Sequence, residues 1–272
     1  MNMKTVYLNK FMSSVVTELE MNGQYGTAHV CGSVLRSVMA FGGEGLPVSG
    51  ITPLWLKAYE GYLLHKGGKG LAWNTVSTYM RMLQAVYNRA VARKLAAFIP
   101  HQFRDVFTGR KADHRRVLER DDMQKLLVER EPDITSPGMA WARACLELMF
   151  RFHGMPFVDL AHLRKSDLKD GYLTLRRRKT GMPLSARVDG RAMQLLERYR
   201  NRDDTSPYLL CFLDGNLEGM AAYRDYQRIL RLLNSRLRAL ALWKKVQGKV
   251  TSYSARHTWA TVCLLYTSPS PR

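Results

Sequence analysis

Hydrophobic side chains recur at helical spacing along most of the chain, and one short stretch past its middle switches to strict alternation. Residues 5–20 set Leu8, Phe11, Met12, Val15, Val16 and Leu19 on one stripe, which predicts a helix with one buried face. A second stripe runs from Tyr25 to Phe41 and stops at Gly42-Gly43. Thr52-Pro53 joins an N-cap to a proline at the first helical position and opens a third helix, which Gly67-Gly68 closes. Asn74 is expected to cap a fourth and longer one, with Val76, Tyr79, Leu83, Val86, Tyr87, Ala90 and Val91 on its apolar face. Arg81, Asn88, Arg89, Arg93 and Lys94 fall largely off that face. Residues 1–107 thus read as a small helical bundle with a basic rim.

The polar, glycine-containing segment 108–116 has the composition of a linker. Helical spacing resumes from Val117 to Val128, with Asp121 and Asp122 suited to a first turn. A loop is expected over 132–138, then a mostly apolar helix from Met139 to Phe152. In 171–189 the period becomes two. Tyr172 and Thr174 alternate with Leu173 and Leu175, the chain turns at Lys179-Thr180-Gly181, and it returns through Leu184, Ala186 and Val188. Helices follow over 190–202 and 220–246, the latter with Leu230, Leu233, Leu237 and Leu240 inside and Arg224, Arg228, Arg231 and Arg238 outside. The fold class is mainly α, in two domains, the second with a small antiparallel sheet.

Charge narrows the function. Forty-two Lys and Arg oppose 23 Asp and Glu, a net +19. Such an excess repels itself in a compact fold, and a polyanionic partner relieves it. Nucleic acid fits best, because neutralised phosphates release condensed counterions. The excess is +7 over residues 1–110 and +12 over the remainder, so both halves of the chain are basic. No apolar run is long enough to span a bilayer, and the first residues lack a signal-peptide pattern. Cys31, Cys145, Cys211 and Cys263 lie far apart without a CxxC pair, which predicts reduced thiols in a cytoplasmic protein and no metal site. The aromatic motifs expected of a single-stranded RNA binder are missing.

One segment is more specific. TSYSARHTWAT at 251–261 resembles the tyrosine recombinase box that usually reads His-x-x-Arg-His-Thr-Phe-Ala-Thr. Arg256, His257, Thr258, Ala260 and Thr261 match it, Trp259 replaces the aromatic, and Tyr253 stands at the first histidine. Four further pieces fall in the family's order. NTVSTYMRMLQAVYNRAVARKL resembles the last helix of a core-binding domain, GMPFVDLAHLRKSDL the segment bearing a first catalytic arginine, and RRRKTG the strand turn bearing a catalytic lysine. VLERDDMQKLL resembles the opening of the catalytic domain. The chain is therefore similar to the tyrosine recombinase (phage integrase) family, and closest to the integrases of conjugative transposons, where a similar GMSFVDL segment carries a serine.

The resemblance implies a four-helix SAM-like core-binding domain over 1–107, a linker over 108–116, and an incomplete catalytic domain over 117–262. It implies site-specific recombination by tyrosine transesterification on double-stranded DNA, without cofactor. Arginine forks suit the charge on the non-bridging oxygens, and a lysine can protonate the leaving 5′ oxygen. The family's roles fall on Arg256, Lys179, Tyr253, His257 and Asp159 at the catalytic centre. DNA-backbone contacts are expected from Arg81, Arg89, Arg93, Lys94, Arg176, Arg177 and Arg178; strand alternation forbids the last three from all facing one way. At the position of the first arginine stands Pro156, so a second guanidinium must come from elsewhere, with Arg151 and Arg164 as candidates. The family's nucleophilic tyrosine follows the Arg256-type arginine by some tens of residues. Tyr266 is too near to serve, and CLLYTSPSPR at 263–272 has the look of a non-native tail. The expectation is thus a truncated, inactive and monomeric piece of an enzyme whose parent works as a tetramer. The alternative is a non-catalytic DNA-binding protein on the same scaffold.

Overall fold

The computed structural model describes residues 5–111, 118–127 and 136–267, with side chains through 261. It divides into two compact units, Met1–Asp113 and His114–Arg272.

The first unit holds α1 (Leu8–Met21), α2 (Tyr25–Gly42), a 3₁₀ turn (Val48–Gly50), α3 (Pro53–His65) and α4 (Trp73–Ala92). The stripe expected on α1 is the one buried, with Val16 at its half-exposed margin. Thr52 caps α3 through an Oγ1 that accepts the Trp55 N–H at 3.1 Å. Asn74 does not cap α4. The N-cap is Ala72, and the Asn74 amide instead grips the Lys111 backbone, donating to its carbonyl at 3.0 Å and accepting its N–H at 2.9 Å. The side chain found a better use on a returning strand of chain than on its own helix end.

That returning segment is fastened along its length. The buried carboxylate of Glu60 accepts the Phe107 N–H and the Lys57 ammonium, each at 2.7 Å, so its charge is not left uncompensated. Ser77 Oγ donates to the Gly109 carbonyl at 2.6 Å, and Lys111 Nζ lies 4.0 Å over the Trp73 ring. Residues 109–111 therefore pack on α4. The rest of the expected linker, 112–116, lies outside the described residues.

The second unit is built on α6 (Pro137–Arg151), whose residues Ala142 to Met149 are all buried. A helix covered on every side belongs at a domain centre. Around it stand α5 (Arg120–Leu127), α7 (Phe157–Ala161), α8 (Gly190–Arg198), α9 (Gly219–Trp243) and α10 (Ser254–Thr267). The 190–202 helix ends four residues early, and in α9 Ile229 rather than Leu230 takes the fully buried place. Most of the 132–138 loop lies outside the described residues.

The hairpin pairs β2 (Tyr172–Arg176) with β3 (Pro183–Arg187), in a register that sets Leu173 opposite Ala186 and Leu175 opposite Leu184. The alternation seen in the sequence is the inward row of this pair. A third strand, β1 (Leu168–Lys169), completes an antiparallel sheet of order β1-β2-β3. Two residues are too short to show a period, which is why the sequence does not reveal it.

Candidate functional site

The site is assembled at the sharp corner between α6 and α7. His153 and Gly154 both adopt left-handed backbone, at φ 57° and 68°, and the Met155 N–H folds back to the Met149 carbonyl at 2.9 Å. Gly154 is needed twice over. A β-carbon there would be strained by the backbone angle and would lie 3.0 Å from the Cα of Arg256. Bare backbone lets α10 approach, and Arg256 Nη1 donates to the Gly154 carbonyl at 3.4 Å.

The start of α10 is fixed from three sides. The Ser252 N–H donates to Asn234 Oδ1 on α9 at 2.8 Å. Thr251 and Ser254 exchange hydrogen bonds across the turn that precedes the helix. The buried Thr258 hydroxyl accepts the Leu118 N–H at 3.1 Å. Ser254, Ala255 and Thr258 face inward, while Tyr253 and His257 are exposed with their rings 5.4 Å apart. Trp259 lies 5.5 Å from the ring of His153 on the corner itself.

The hairpin tip is tied to the same corner. Asp159, one turn into α7 and 3% exposed, accepts the Arg178 backbone N–H at 2.9 Å and lies 3.5 Å from Arg177 Nε. That Nε is sheltered from solvent and makes no hydrogen bond, so the contact is an ion pair without an aligned donor. Lys179 follows directly, exposed at the turn that Gly181 closes on the Arg177 carbonyl at 2.8 Å. Arg176 bends back to the Gly181 carbonyl. A continuous run of six residues, 154 to 159, thus carries the partner of Arg256 at one end and the anchor of the Lys179 turn at the other.

The floor is aromatic. His162 is packed against Tyr208 and Tyr226, and its Nδ1 meets the Val158 carbonyl at 2.8 Å. Burial, with the Arg178 guanidinium adding to it, pushes the ring down to about 4. Burial likewise pushes the Tyr226 phenol up to about 12, with Tyr223, Asp159 and Tyr253 as its charged or ionisable neighbours. The sign of the His162 effect is definite. Its folded value lies below the ordinary 6.5, so the neutral ring favours the fold fully above pH 6.5, and that advantage falls away as pH drops toward 4. The expected loss across the window is about 3 kcal/mol. Urea unfolding of His162→Gln should show a correspondingly shallower decline between pH 7 and 4.5. Equal pH slopes in both proteins would remove this assignment.

With this geometry in place, the comparisons with known proteins become interpretable. Residues 7–104 match the phage integrase SAM-like domain. The whole chain superposes on the lambda integrase dimer bound to a COC′ core site at a TM-score of 0.65 and 16% identity, covering 97% of this chain and 92% of that one. The lambda integrase tetramer bound to a Holliday junction matches at 0.63 and 15%, covering 97% and 75%. The Tn1549 transposon integrase in complex with a circular intermediate DNA matches at 0.63 and 14%, covering 96% and 88%. Residues 7–104 therefore carry a phage integrase SAM-like domain, and the chain as a whole has the fold of these integrases. No curated protein sequence matches it.

The corner segment meets Arg256 at Gly154 and the hairpin tip, with Arg177 and the Lys179 turn, at Asp159, while Tyr253 and His257 lie on the outer face of α10. The two arginines singled out as replacements at Pro156 make their contacts elsewhere. Arg151 is spent on Glu147 at 2.9 Å and Asp189 at 2.6 Å. Arg164 is exposed and extended, its backbone bridged to Tyr208 and its N–H held by Asp167 at 2.8 Å. The sequence placed Arg177 among backbone contacts; its seat against Asp159, one turn after Pro156, was hidden because strand and helix meet only in the fold. On the first unit, Arg81 and Lys94 are exposed, whereas Arg89 and Arg93 clasp Glu18 of α1 at 3.3 and 2.6 Å. The expected position of Tyr266 lies within α10, which runs on to Thr267. Among the described residues, no three His, Cys, Asp or Glu side chains gather as a metal-ligand set, and no helix is long and apolar enough to cross a membrane.

Proposed function

We propose that this chain is an integrase of the tyrosine recombinase type that binds duplex DNA and activates one phosphodiester for site-specific strand exchange, at the α6–α7 corner. The observation that carries the reading is the shared corner segment, Gly154 to Asp159, which holds Arg256 at one end and the Arg177–Lys179 turn at the other. Arg256 supplies one guanidinium to the non-bridging oxygens. Arg177 supplies the second, in place of the residue at Pro156, from a partly exposed guanidinium that Asp159 holds at 3.5 Å beside the corner. Lys179 protonates the departing 5′ oxygen. Tyr253 hydrogen-bonds phosphate through its phenol, His257 lies beside it, and Asp159 orients the hairpin tip. Arg81, Lys94, Arg176 and Arg178 contact the DNA backbone, with Arg89 and Arg93 contributing from their partly exposed clasp on Glu18. We assign the attacking tyrosine to none of residues 1–262. The reading implies a cytoplasmic protein, and an enzyme that works as a tetramer on paired sites.

Binding is tested on the chain itself. Its affinity for a duplex oligonucleotide should fall steeply with salt, the log–log slope being about −0.9 per phosphate neutralised. Equal affinity for single-stranded RNA, or a flat salt response, would defeat the duplex reading. Chemistry is tested in any form of the protein competent for cleavage. Lys179→Ala should slow cleavage by about 10²–10⁴-fold, and a 5′-thiolate leaving group, which needs no proton, should restore the rate. A variant that stays slow on the thiolate substrate has lost something other than a general acid. Intact duplex binding with no cleavage in any form would instead favour a DNA-binding protein on this scaffold.

A further inference from the structure

The C-terminal end of α9 carries a surface that the phosphate chemistry does not use. A hollow of about 380 Å³ lies there between the helix and the chain that returns toward α10. Ala241, Leu242, Val246 and Val250 line it, and Arg238 and Lys249 stand at its edge. Leu242 is 80% exposed and Trp243 43%, unusual for large apolar groups side by side on one helix end. Lys244 lies 4.6 Å over the Trp243 ring, and Lys245 is exposed beside it in left-handed backbone.

The stretch of chain that forms this hollow carries charge of one sign. Residues 226–261 contain eight Lys and Arg and no Asp or Glu. The helix C-terminus contributes only about half a negative charge, too little to balance Arg238, Lys245 and Lys249. We propose that the hollow is a docking site for an acidic segment of a partner protein that inserts one large apolar side chain. Both halves of the description are required. A duplex would answer the cations with phosphates but has nothing to cover Leu242 or fill an apolar hollow. An acidic stretch interrupted by a leucine or phenylalanine answers both, the apolar side chain going to the hollow and its carboxylates to the rim. The proposal stands on this surface alone and does not depend on the DNA reading.

The test uses the chain with two fluorescein-labelled synthetic peptides, one rich in Asp and Glu around a central phenylalanine, the other with serine in its place. Binding is read by anisotropy, with a fluorescein-labelled duplex oligonucleotide measured in parallel. The phenylalanine peptide should bind at least about ten-fold tighter than the serine peptide, the worth of burying one large side chain. Lys249→Glu and Leu242→Ser alter exposed residues, so thermal unfolding should be unchanged. Each should weaken the phenylalanine peptide by about ten-fold, and Leu242→Ser should leave duplex affinity within about two-fold. Equal binding of the two peptides, or indifference to both substitutions, overturns the proposal. Loss of duplex affinity in Leu242→Ser, with peptide binding kept, would show a nucleic-acid surface instead.

Discussion

Replacing Arg256 with alanine is expected to slow phosphodiester cleavage by about 10²–10³-fold, the usual cost of one preorganised donor to a charged transition state, or ~3–4 kcal/mol. Duplex affinity should stay within a few-fold, because a +19 chain meets DNA through many phosphate contacts and this guanidinium is only one of them. The split matters more than either number. A surface arginine would change binding and cleavage together or neither, whereas a group aimed at one reacting phosphate changes the rate alone. Its seat explains the expectation. The side chain is half-buried against the Gly154 carbonyl, on a helix start pinned by Asn234 and Thr258. Lysine at 256 keeps the charge but loses the fork, so it should recover little of the rate. Covalent adduct formed per unit time, beside anisotropy on the same duplex, measures both quantities. Unaltered adduct formation in Arg256→Ala would remove the residue from the catalytic centre.

Asp159→Ala should do damage of a different kind. The carboxylate is 3% exposed and serves two groups on the hairpin, the Arg178 N–H and the Arg177 guanidinium. Deleting it leaves the part-buried Arg178 N–H unmet and a cation without its counter-charge. The expected loss is about 2–3 kcal/mol, below the figure for a fully buried pair because Arg177 is 23% exposed. The same change frees the turn that carries Lys179, and a displacement of about 1 Å at a reacting group can cost ~10²-fold in rate. Asp159→Asn separates the two effects. Its amide oxygen can still accept the Arg178 N–H, so the turn should stay in place while the ion pair is lost. Thermal unfolding and cleavage rate in the two variants, taken together, decide between a bracing carboxylate and a mere helix-cap residue. If alanine unfolds at the parent temperature, the anchor does not exist.

The order in which these features could be read from the sequence follows their physical range. Elements longer than two turns were legible, because eight or more residues display a period; α1, α3, α6 and the β2–β3 hairpin lie close to where the pattern of side chains puts them. The box at 251–261 was legible for a second reason: its inward residues, Ala255 and Thr258, alternate with Arg256 and His257 at helical spacing, so packing and chemistry are both written into a few residues. Short elements escaped, namely β1 and the cap of α4. So did every contact made across long sequence separations. Asn74 looks like a helix cap until Lys111 is brought beside it. Arg151 looks like a free cation until Glu147 and Asp189 close on it. Arg177 looks like one of three equivalent arginines until Asp159 selects it. Ion pairing depends on the fold, and local pattern carries no record of it.

All of the proposed chemistry needs two cations, from the hairpin tip and from α10, to reach one phosphate. The direct measurement is a structure of this chain bound to a duplex containing its preferred site. The guanidinium of Arg256 and the ammonium of Lys179 should both lie within hydrogen-bond reach, about 3 Å, of oxygens on the same phosphate. Finding them on different phosphates, or Lys179 turned to solvent while Arg256 alone meets the backbone, would contradict the account.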